Sequence, residues 1–228
     1  MAAALNTGIK SMAGDYFSWL SHDDLYYPQK IETQLAFLER ASNRPAMLYS
    51  DFDIIDADST CTGIFRIPAS VGSNPLLSIL ATLVHGCSTL VSKEIFNSVG
   101  LFDERLRTIQ DNDMWMRILR KGFPLFHVPE ILIRSRRHER QGQHKLADVN
   151  RREARAFFKQ AAKEFGDSPE QSKAILDGAI RSGVVLPFFF LWAMWVNNPT
   201  LPPSGWTHYL CRRILNSLRW RIQRSSAG

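Results

Sequence analysis

The chain has 228 residues, 45% of them hydrophobic, so it can bury a sizeable core in one domain or in a domain with an extension. Its formal net charge is +6, but five arginines and no acid lie between Trp206 and Gly228, which leaves the preceding body close to neutral. A near-neutral body argues against a nucleic-acid-binding protein. Three cysteines without a CxxC pair argue against a disulfide framework and a zinc-thiolate site.

Leader and membrane signals are weak. The opening segment MAAALNTGIKSMAG lacks the apolar core of a signal peptide, and the longest apolar run, residues 183–196, is interrupted by Pro187. That run is shorter than the roughly 18 residues that a membrane span needs. We expect a cytoplasmic protein with a buried or interfacial helix at 183–196.

Strand and helix signals alternate through the first part of the chain, which is the pattern of an α/β domain. The segment DYFSWL is rich in strand formers, and PQKIETQLAFLERA predicts a helix with proline in its first turn. A second strand is predicted at AMLYSDFDIID. Further signals predict a helix near PLLSILATL, a strand at CSTLVS, helices at KEIFNSVG and NDMWMRILRKG, and one or two strands in PLFHVPEILIRSRRH.

Only helix signals follow residue 145. LADVNRREARAFFKQAAKEF is one helix, and Ser168 with Pro169 begins another. NNPTLPPSG is typical of a linker, and the apolar repeat from Trp206 to Ile222 with arginines between predicts a basic amphipathic helix. We therefore divide the chain into an α/β part at 1–145, a helical extension at 146–198, and a linker with a basic helix at 199–228.

Two adjacent carboxylates, Asp23 and Asp24, follow His22 between the first strand and the first long helix. Neighbouring carboxylates at such a strand end can hold a hard divalent cation together with substrate phosphates. Capping of the following helix by Asp24 explains the same residues, because acidic side chains stabilise helix N-termini. The residues alone leave both interpretations open.

A second polar group lies in QDNDMWMR, where Asp111 and Asp113 open a helix that carries Trp115 and Arg117. A carboxylate at a helix start is well placed to take a proton from a substrate hydroxyl. The alternative is helix capping, with the tryptophan in the core and the arginine as a solvated partner. For Asp113 the pattern favours capping.

A third group is the basic segment RSRRHERQGQHK, which includes Arg134, Arg137 and His138. Arginines in such a cluster suit phosphate contacts, and a histidine can reach a metal ion. A solvated surface loop has the same composition.

The order and spacing of these motifs resemble the family 2 glycosyltransferases of the GT-A fold. ALNTGIKSMAGDYFSWLSHDDLYYPQKIETQ is similar to the central segment of that family, and GCSTLVSKEIFNSVGLFDERLRTIQDNDMWMRILRKG to its downstream segment. RSRRH resembles the closing Arg-x-His. The likeness covers about residues 4–140, and two long motifs in the right order make it specific.

The resemblance implies roles at the first acidic motif. Asp23 matches the aspartate that meets the donor diphosphate through Mg²⁺ or Mn²⁺, and Asp24 is the adjoining acid. Ser21 stands where the family has the aspartate that faces the nucleotide, with His22 beside it as a donor contact. The metal role is retained in this pattern, whereas the nucleotide contact is altered.

At the later motifs the resemblance gives Asp111 the role of catalytic base, with Gln110 in the place of a usual glutamate. Asp113, Trp115 and Arg117 match supporting positions. His138 matches a histidine that approaches the metal or diphosphate, and Arg134 and Arg137 supply basic groups near the diphosphate.

The implied fold is α/β, a partial GT-A, Rossmann-like sheet with flanking helices, followed by an all-helical C-terminal extension. The implied activity is an inverting, metal-dependent transfer of a sugar from a nucleotide-sugar donor to a saccharide or lipid-linked acceptor, in surface polysaccharide synthesis. The basic helix at 206–228 either contacts an anionic membrane at the inner face of the plasma membrane or docks on the domain.

The family's opening strands, which supply most nucleotide contacts, have no counterpart before ALNTGI. We therefore expect a truncated enzyme with weak donor binding. The alternative is a non-enzymatic remnant of the same fold that binds a membrane or a partner; nucleic acid is not an expected partner.

Overall fold

The structure is a computed structural model that describes residues 1–41, 45–137 and 146–197. The chain forms two compact units, Met1–Ala154 and Arg155–Gly228. Among the described residues, every helix is too short or too polar to pass through a bilayer.

The first unit alternates strands and helices, as the sequence predicts. Its strands are β1 Tyr16–Phe17, β2 Leu25–Tyr26, β3 Met47–Ile55, β4 Cys61–Phe65, β5 Leu90–Ser92 and β6 Leu125–Arg136. Its helices are α1 Ala2–Ser11, α2 Lys30–Ala41, α3 Ala69–Gly72, α4 Pro75–Leu80, α5 Lys93–Val99 and α6 Gln110–Arg120, with a 3₁₀ turn at Gly86–Ser88. Helix α1 was not predicted.

One mixed sheet organises this unit, with strand order β1-β5-β3-β6-β2 and β4 paired to β3. Strands β3 and β6 run parallel, whereas the other pairs are antiparallel. The carboxyl ends of β3 and β6 therefore lie at one edge of the sheet. In open α/β sheets this edge is where ligands bind.

Strand β6 carries an irregularity opposite the middle of β3. Ser50 pairs with Val128 and Phe52 pairs with Ile133, so β6 advances five residues where β3 advances two, an excess of three. Pro129 lies in this segment and has no N–H to donate to a neighbouring strand, which explains why regular pairing stops there. The predicted one or two strands are thus one strand with a bulge.

The central strand β3 is buried on both faces, as expected for a strand covered by helices on each side. Leu48 packs in a cluster with Leu38 of α2 and Leu132 of β6. Tyr49 points the other way and donates a hydrogen bond to Ser78 Oγ of α4 (2.9 Å). This alternation fixes which side chains of β3 reach each face.

The second unit is helical as far as it is described. Helix α7, Ala147–Phe165, runs into it from the first unit and is followed by α8, Pro169–Ser182, and α9, Phe188–Asn197. Ser168 Oγ accepts a hydrogen bond from Gln171 N–H (3.2 Å), which confirms the predicted helix start. Gly183 ends α8 with φ of 69°.

A glycine contact links the 3₁₀ turn to the end of the first strand segment. A Cβ built on Gly86 would overlap the ring of Trp19, whereas a Cβ on Gly14 would meet nothing within 4 Å. We expect Gly86→Ala to lower the free energy of unfolding by roughly 1–3 kcal/mol, because the partly buried ring of Trp19 must shift. Urea unfolding followed by circular dichroism measures this. Gly14→Ala is the control, and equal midpoints for the two variants would contradict the packing.

Candidate active site

The acidic motif forms a turn between β1 and β2. Asp24 N–H donates to Ser21 O (3.2 Å), which closes the turn. Ser21 N–H donates to Cys87 Sγ at 3.3 Å, and Ser21 Oγ lies 3.3 Å from the same sulfur. The turn is thus attached to the 3₁₀ turn Gly86–Ser88, next to the carboxyl edge of the sheet.

Asp24 is the buried carboxylate of the motif, with 7% of its side chain exposed. Its Oδ1 accepts the Arg136 N–H at 2.9 Å, and its Oδ2 lies 4.0 Å from His85 Nε2. These contacts hold the turn against the end of β6. Asp24 therefore stabilises the conformation of the turn from its buried side.

Asp24, His85 and Cys87 are close enough in space to be considered as metal ligands, since one ligand atom of each lies within 4.8 Å of the others. However, His85 Nδ1 accepts the Cys87 N–H (3.2 Å), so the ring proton of a neutral His85 is on Nε2, which faces Ser135 Oγ at 3.1 Å. Burial lowers the pKa of His85 and raises that of Cys87 to about 11. In this arrangement the three groups fit a hydrogen-bonded cluster better than a metal centre.

Asp23 is the more accessible carboxylate, with 21% of its side chain exposed. Its Oδ1 lies 2.5 Å from Nε2 of His22, whose side chain is 96% exposed. The Asp23 main-chain carbonyl accepts from Arg136 Nε (2.9 Å), which fixes the backbone behind the carboxylate. A surface carboxylate on a fixed backbone fits a hard cation that keeps most of its water ligands.

The basic segment divides into structural and accessible arginines. Arg136 donates to Asp56 O (2.6 Å), Ala57 O (2.9 Å) and Ser59 Oγ (2.8 Å), so its guanidinium joins the acidic turn to the β3–β4 connection. Sequence reasoning did not separate this residue from its neighbours.

Arg134 and Arg137 differ from Arg136 in their surroundings. Arg134 Nη2 donates to Ser59 O (2.9 Å), while its buried Nε has no hydrogen-bond partner among the described residues. Arg137 is exposed, and its N–H donates to Ile55 O (2.8 Å). Of the two arginines predicted to contact the diphosphate, Arg137 is the exposed one, and His138 lies outside the described residues.

Lys30 forms a buried network that sequence reasoning missed. Its fully buried ammonium donates to Ser18 Oγ (2.9 Å), Gln34 Oε1 (2.9 Å) and Thr89 O (3.1 Å) and lies 4.5 Å from the ring centroid of Tyr26. Burial lowers the pKa of Lys30 to about 7. Ser18 and Tyr26 flank the acidic turn, so this network holds both of its ends.

Asp111 lies in the first turn of α6, four residues before Trp115. Because residues four apart share a helix face, Asp111 is on the side of α6 that bears this buried ring. Trp115 stacks on Trp19 with ring centroids 5.9 Å apart. The stacked pair links the helix that carries Asp111 to the strand segment that leads into the acidic turn.

The carboxyl group of Asp111 keeps partial surface access but lies deep among protein atoms. Its burial raises its pKa to about 6, although its Oδ1 accepts the Asn112 N–H (2.9 Å). Gln110 Oε1 and Asn112 Oδ1 beside it are buried and make no hydrogen bond within the described part of the chain. A raised carboxyl pKa and unsatisfied acceptors within the same helical turn are features that occur at ligand sites.

The supporting positions of α6 have structural contacts. Asp113 Oδ2 accepts from Arg117 Nε (2.8 Å), and the guanidinium also donates to Val99 O (2.7 Å) and Leu101 O (3.0 Å). These bonds fix α6 to the end of α5. The pair therefore orients the helix that carries Asp111.

Two further sets of contacts, one buried and one partly buried, hold the loop before α6. Asn6 of α1 donates to Phe102 O (2.9 Å) and accepts the Phe102 N–H (2.9 Å). Glu153 Oε2 accepts from Thr108 N–H (2.9 Å) and Thr108 Oγ (2.7 Å). Asn6 belongs to a motif quoted from the sequence, but the motif gave no sign of its partner about a hundred residues away.

The raised pKa of Asp111 predicts a pH-dependent stability. The folded chain favours the protonated carboxyl, so its stabilisation is complete at acid pH and is lost as pH rises through about 6. Asp111→Asn cannot ionise, and we expect it to exceed the wild type in free energy of unfolding by roughly 1–3 kcal/mol at pH 8 and to match it near pH 4. Urea unfolding at both pH values measures this. Asp148→Asn, at a 91% exposed carboxylate in the first turn of α7, is the control; a pH-independent difference would contradict the assignment.

Comparisons with known proteins place this geometry in context. The sequence model described as "Glycosyl transferase family 2" matches residues 1–100. An uncharacterized glycosyltransferase of Rickettsia felis is 41% identical over 152 residues, 65% of this chain and 25% of that protein. The UDP-Glc:alpha-D-GlcNAc-diphosphoundecaprenol beta-1,3-glucosyltransferase WfaP of Escherichia coli is 28% identical over 123 residues, 53% of this chain and 45% of that protein.

The fold has a counterpart among solved structures. The crystal structure of S. aureus TarS 1-349 superposes with a TM-score of 0.50 at 13% identity, covering 87% of this chain and 52% of that one. This likeness concerns the fold alone. The chain spans about a quarter of the length of the Rickettsia felis relative. Its amino-terminal 100 residues thus match glycosyl transferase family 2, and its fold is of the GT-A type.

Proposed function

We propose that these residues form the acceptor side and the cation-binding turn of an inverting glycosyltransferase. The substrates are a nucleotide-sugar donor and a hydroxyl of a saccharide or lipid-linked acceptor. The observation that carries the proposal is Asp111, a carboxyl with a pKa raised to about 6 at the start of α6. Its neighbours in the sequence, Gln110 and Asn112, have buried side-chain oxygens without a hydrogen-bond partner in the part of the chain that the structure describes.

Asp111 is the general base of this proposal. It takes the proton of the acceptor hydroxyl while the oxygen attacks the anomeric carbon and the nucleoside diphosphate departs from the opposite face. A base with a pKa near 6 is largely ionised at neutral pH and still accepts a proton readily. The unpaired oxygens of Gln110 and Asn112 are acceptors that hydroxyl groups of a sugar can satisfy.

Asp23 is the proposed ligand for Mg²⁺ or Mn²⁺. A cation bound there would offset the negative charge of the departing diphosphate. Arg137, exposed after the last residue of β6, adds a positive charge on the same side, and Arg136 and Asp24 hold the turn from beneath. His22, exposed beside Asp23, is proposed to contact the nucleotide-sugar donor as well. His138 stays a prediction, because it lies outside the described residues.

The acceptor is proposed to be lipid-linked. The E. coli relative carries a diphosphoundecaprenol acceptor in its name, and the family resemblance implies surface polysaccharide synthesis. Such an acceptor requires access to a membrane surface. Residues 206–228, with five arginines and no acid, suit an anionic surface, although they lie outside the described residues.

Transfer should depend on Asp111. We expect Asp111→Asn to lower the turnover of nucleotide sugar with a lipid-linked acceptor by ~100-fold or more, because the hydroxyl loses its proton acceptor. Asp148→Asn, at the first turn of α7, is the matched control and should keep the wild-type rate. Carboxyl-detected NMR titration should place the pKa of Asp111 near 6. A pKa near the ordinary value, or equal rates in the two variants, would remove Asp111 from this role.

Cation-dependent nucleotide binding should depend on Asp23. We expect Asp23→Asn to weaken Mn²⁺-dependent binding of a nucleoside diphosphate by about tenfold or more, because the carboxylate ligand is lost. Calorimetry with UDP, GDP and dTDP, each with Mn²⁺ or EDTA, measures it. Asp58→Asn, on the exposed turn between β3 and β4, is the control. Unchanged affinity in Asp23→Asn would assign the cation elsewhere.

A further inference from the structure

Helix α9 is apolar on both of its faces. Phe190, Leu191 and Met194 are buried, whereas Phe188 and Trp192 on the other face are 56% and 53% exposed. A helix that is hydrophobic all round is normally enclosed by protein or by lipid. Among the described residues, nothing covers the exposed half of α9, so this face calls for a covering environment.

The exposed side chains of α9 form one continuous aromatic surface. Phe188 stacks on Trp192 with centroids 6.3 Å apart, and Trp192 contacts Trp195 at 5.4 Å. Trp195 is 45% exposed, and Val196 extends the surface at 54%. We call these four residues, 188, 192, 195 and 196, the aromatic face. They follow one another at helical spacing, so all four can meet a flat surface at once.

Helix α9 is too short to cross a bilayer. It has ten residues, about 15 Å of helix, whereas the hydrocarbon core is about 30 Å thick. An element of this kind can only lie in the plane of the interface. Tryptophan suits that position, because its ring is apolar and its N–H seeks water or headgroups.

The distribution of charge along the sequence indicates that the surface bound by α9 is anionic. Beyond Asp177 the chain has no acidic residue, and it carries six arginines, at positions 181, 212, 213, 219, 221 and 224. Residues 1–177 therefore hold 28 − 6 = 22 basic and 22 acidic side chains, so the whole net charge of +6 belongs to the part of the chain that contains α9. In the sequence, arginines precede and follow α9 without any acidic residue between them, and a segment of this composition is complementary to anionic lipid headgroups.

We propose that the aromatic face inserts into the interfacial layer of an anionic membrane, with α9 lying parallel to the bilayer. The aromatic face presents three aromatic rings and one branched aliphatic side chain to the lipid. It has no charged side chain that would specify a protein partner. The inference goes beyond the proposed transfer reaction, because it concerns a surface of the second unit and needs neither donor nor acceptor.

Vesicle flotation of the full 228-residue chain tests the proposal, without nucleotide sugar. Wild-type protein should float with vesicles of phosphatidylcholine and phosphatidylglycerol and less with phosphatidylcholine alone. We expect Trp192→Ser/Trp195→Ser to lower the partition coefficient by about tenfold or more, because two rings leave the interface. Ile64→Ser is the matched control: Ile64 is 56% exposed, as Phe188 is, but lies on β4 of the first unit. It should bind as the wild type does.

Because the serine variant can fail to fold, a second experiment measures how deeply the tryptophan rings enter the bilayer in phenylalanine variants. In a Trp206→Phe/Trp220→Phe background, which removes the two tryptophans of residues 206–228, brominated lipids should quench the tryptophan fluorescence. Adding Trp192→Phe/Trp195→Phe should leave flotation intact while removing most of that quenching. The proposal is overturned if the wild type does not float, or if the serine variant floats equally well. Unchanged quenching in the phenylalanine variant would also overturn it. Equal flotation with neutral and anionic vesicles would contradict an anionic surface. Gel filtration of a wild-type dimer that the serine variant loses, without vesicle binding, would assign the aromatic face to self-association.

Discussion

The hydrogen bond between the buried Asp24 carboxylate and the Arg136 N–H is the constraint on which the site depends. It joins the turn Ser21–Asp24 to the last residue of β6, and β6 is held parallel to β3 through the centre of the sheet. A buried carboxylate that lost this partner would remain desolvated without compensation, which is costly. The accessible carboxylate of Asp23 owes its position to its buried neighbour.

Aromatic packing connects the acidic turn to the helix that carries Asp111. Trp19 lies just before the acidic turn and stacks on Trp115, one helical turn after Asp111. Arg117 and Asn6 fix the same helix and the loop before it through main-chain carbonyls. The turn proposed to bind a cation and the proposed general base thus belong to one continuous packed framework, as a displacement reaction with little tolerance for misplacement would require.

The local pattern of the sequence was sufficient to predict individual strands, helices and helix starts. The alternation of strands and helices, the buried strand β3 and the start of α8 follow from periodicity and capping residues, and the structure confirms them. The position of Asp111 at a helix start was predicted in the same way. Family resemblance then supplied the chemistry that periodicity alone could not.

Contacts between distant residues were not predictable from those patterns. The sequence around Lys30 does not predict that its ammonium donates a hydrogen bond to Thr89 O. The sequence around Asp24 does not predict that its carboxylate accepts from the Arg136 N–H, more than a hundred residues later. The sequence likewise cannot tell Arg136, which binds carbonyls, from the exposed Arg137. These distinctions arise from the register of the sheet, which is set by global packing.

The bulge at Pro129 decides which arginines serve which purpose. Because the excess of three residues is odd, side chains of β6 exchange faces between its first and second halves relative to β3. His127, an odd-numbered residue, reaches Asp51 on β3, while even-numbered Arg134 pairs beside Asp53. If the pairing with β3 were otherwise kept, deleting one residue from this bulge would bring Arg137 to the position of Arg136 at the acidic turn, and inserting one would bring Ser135 there. The number of residues in this irregular segment therefore decides which side chain of β6 reaches the acidic turn.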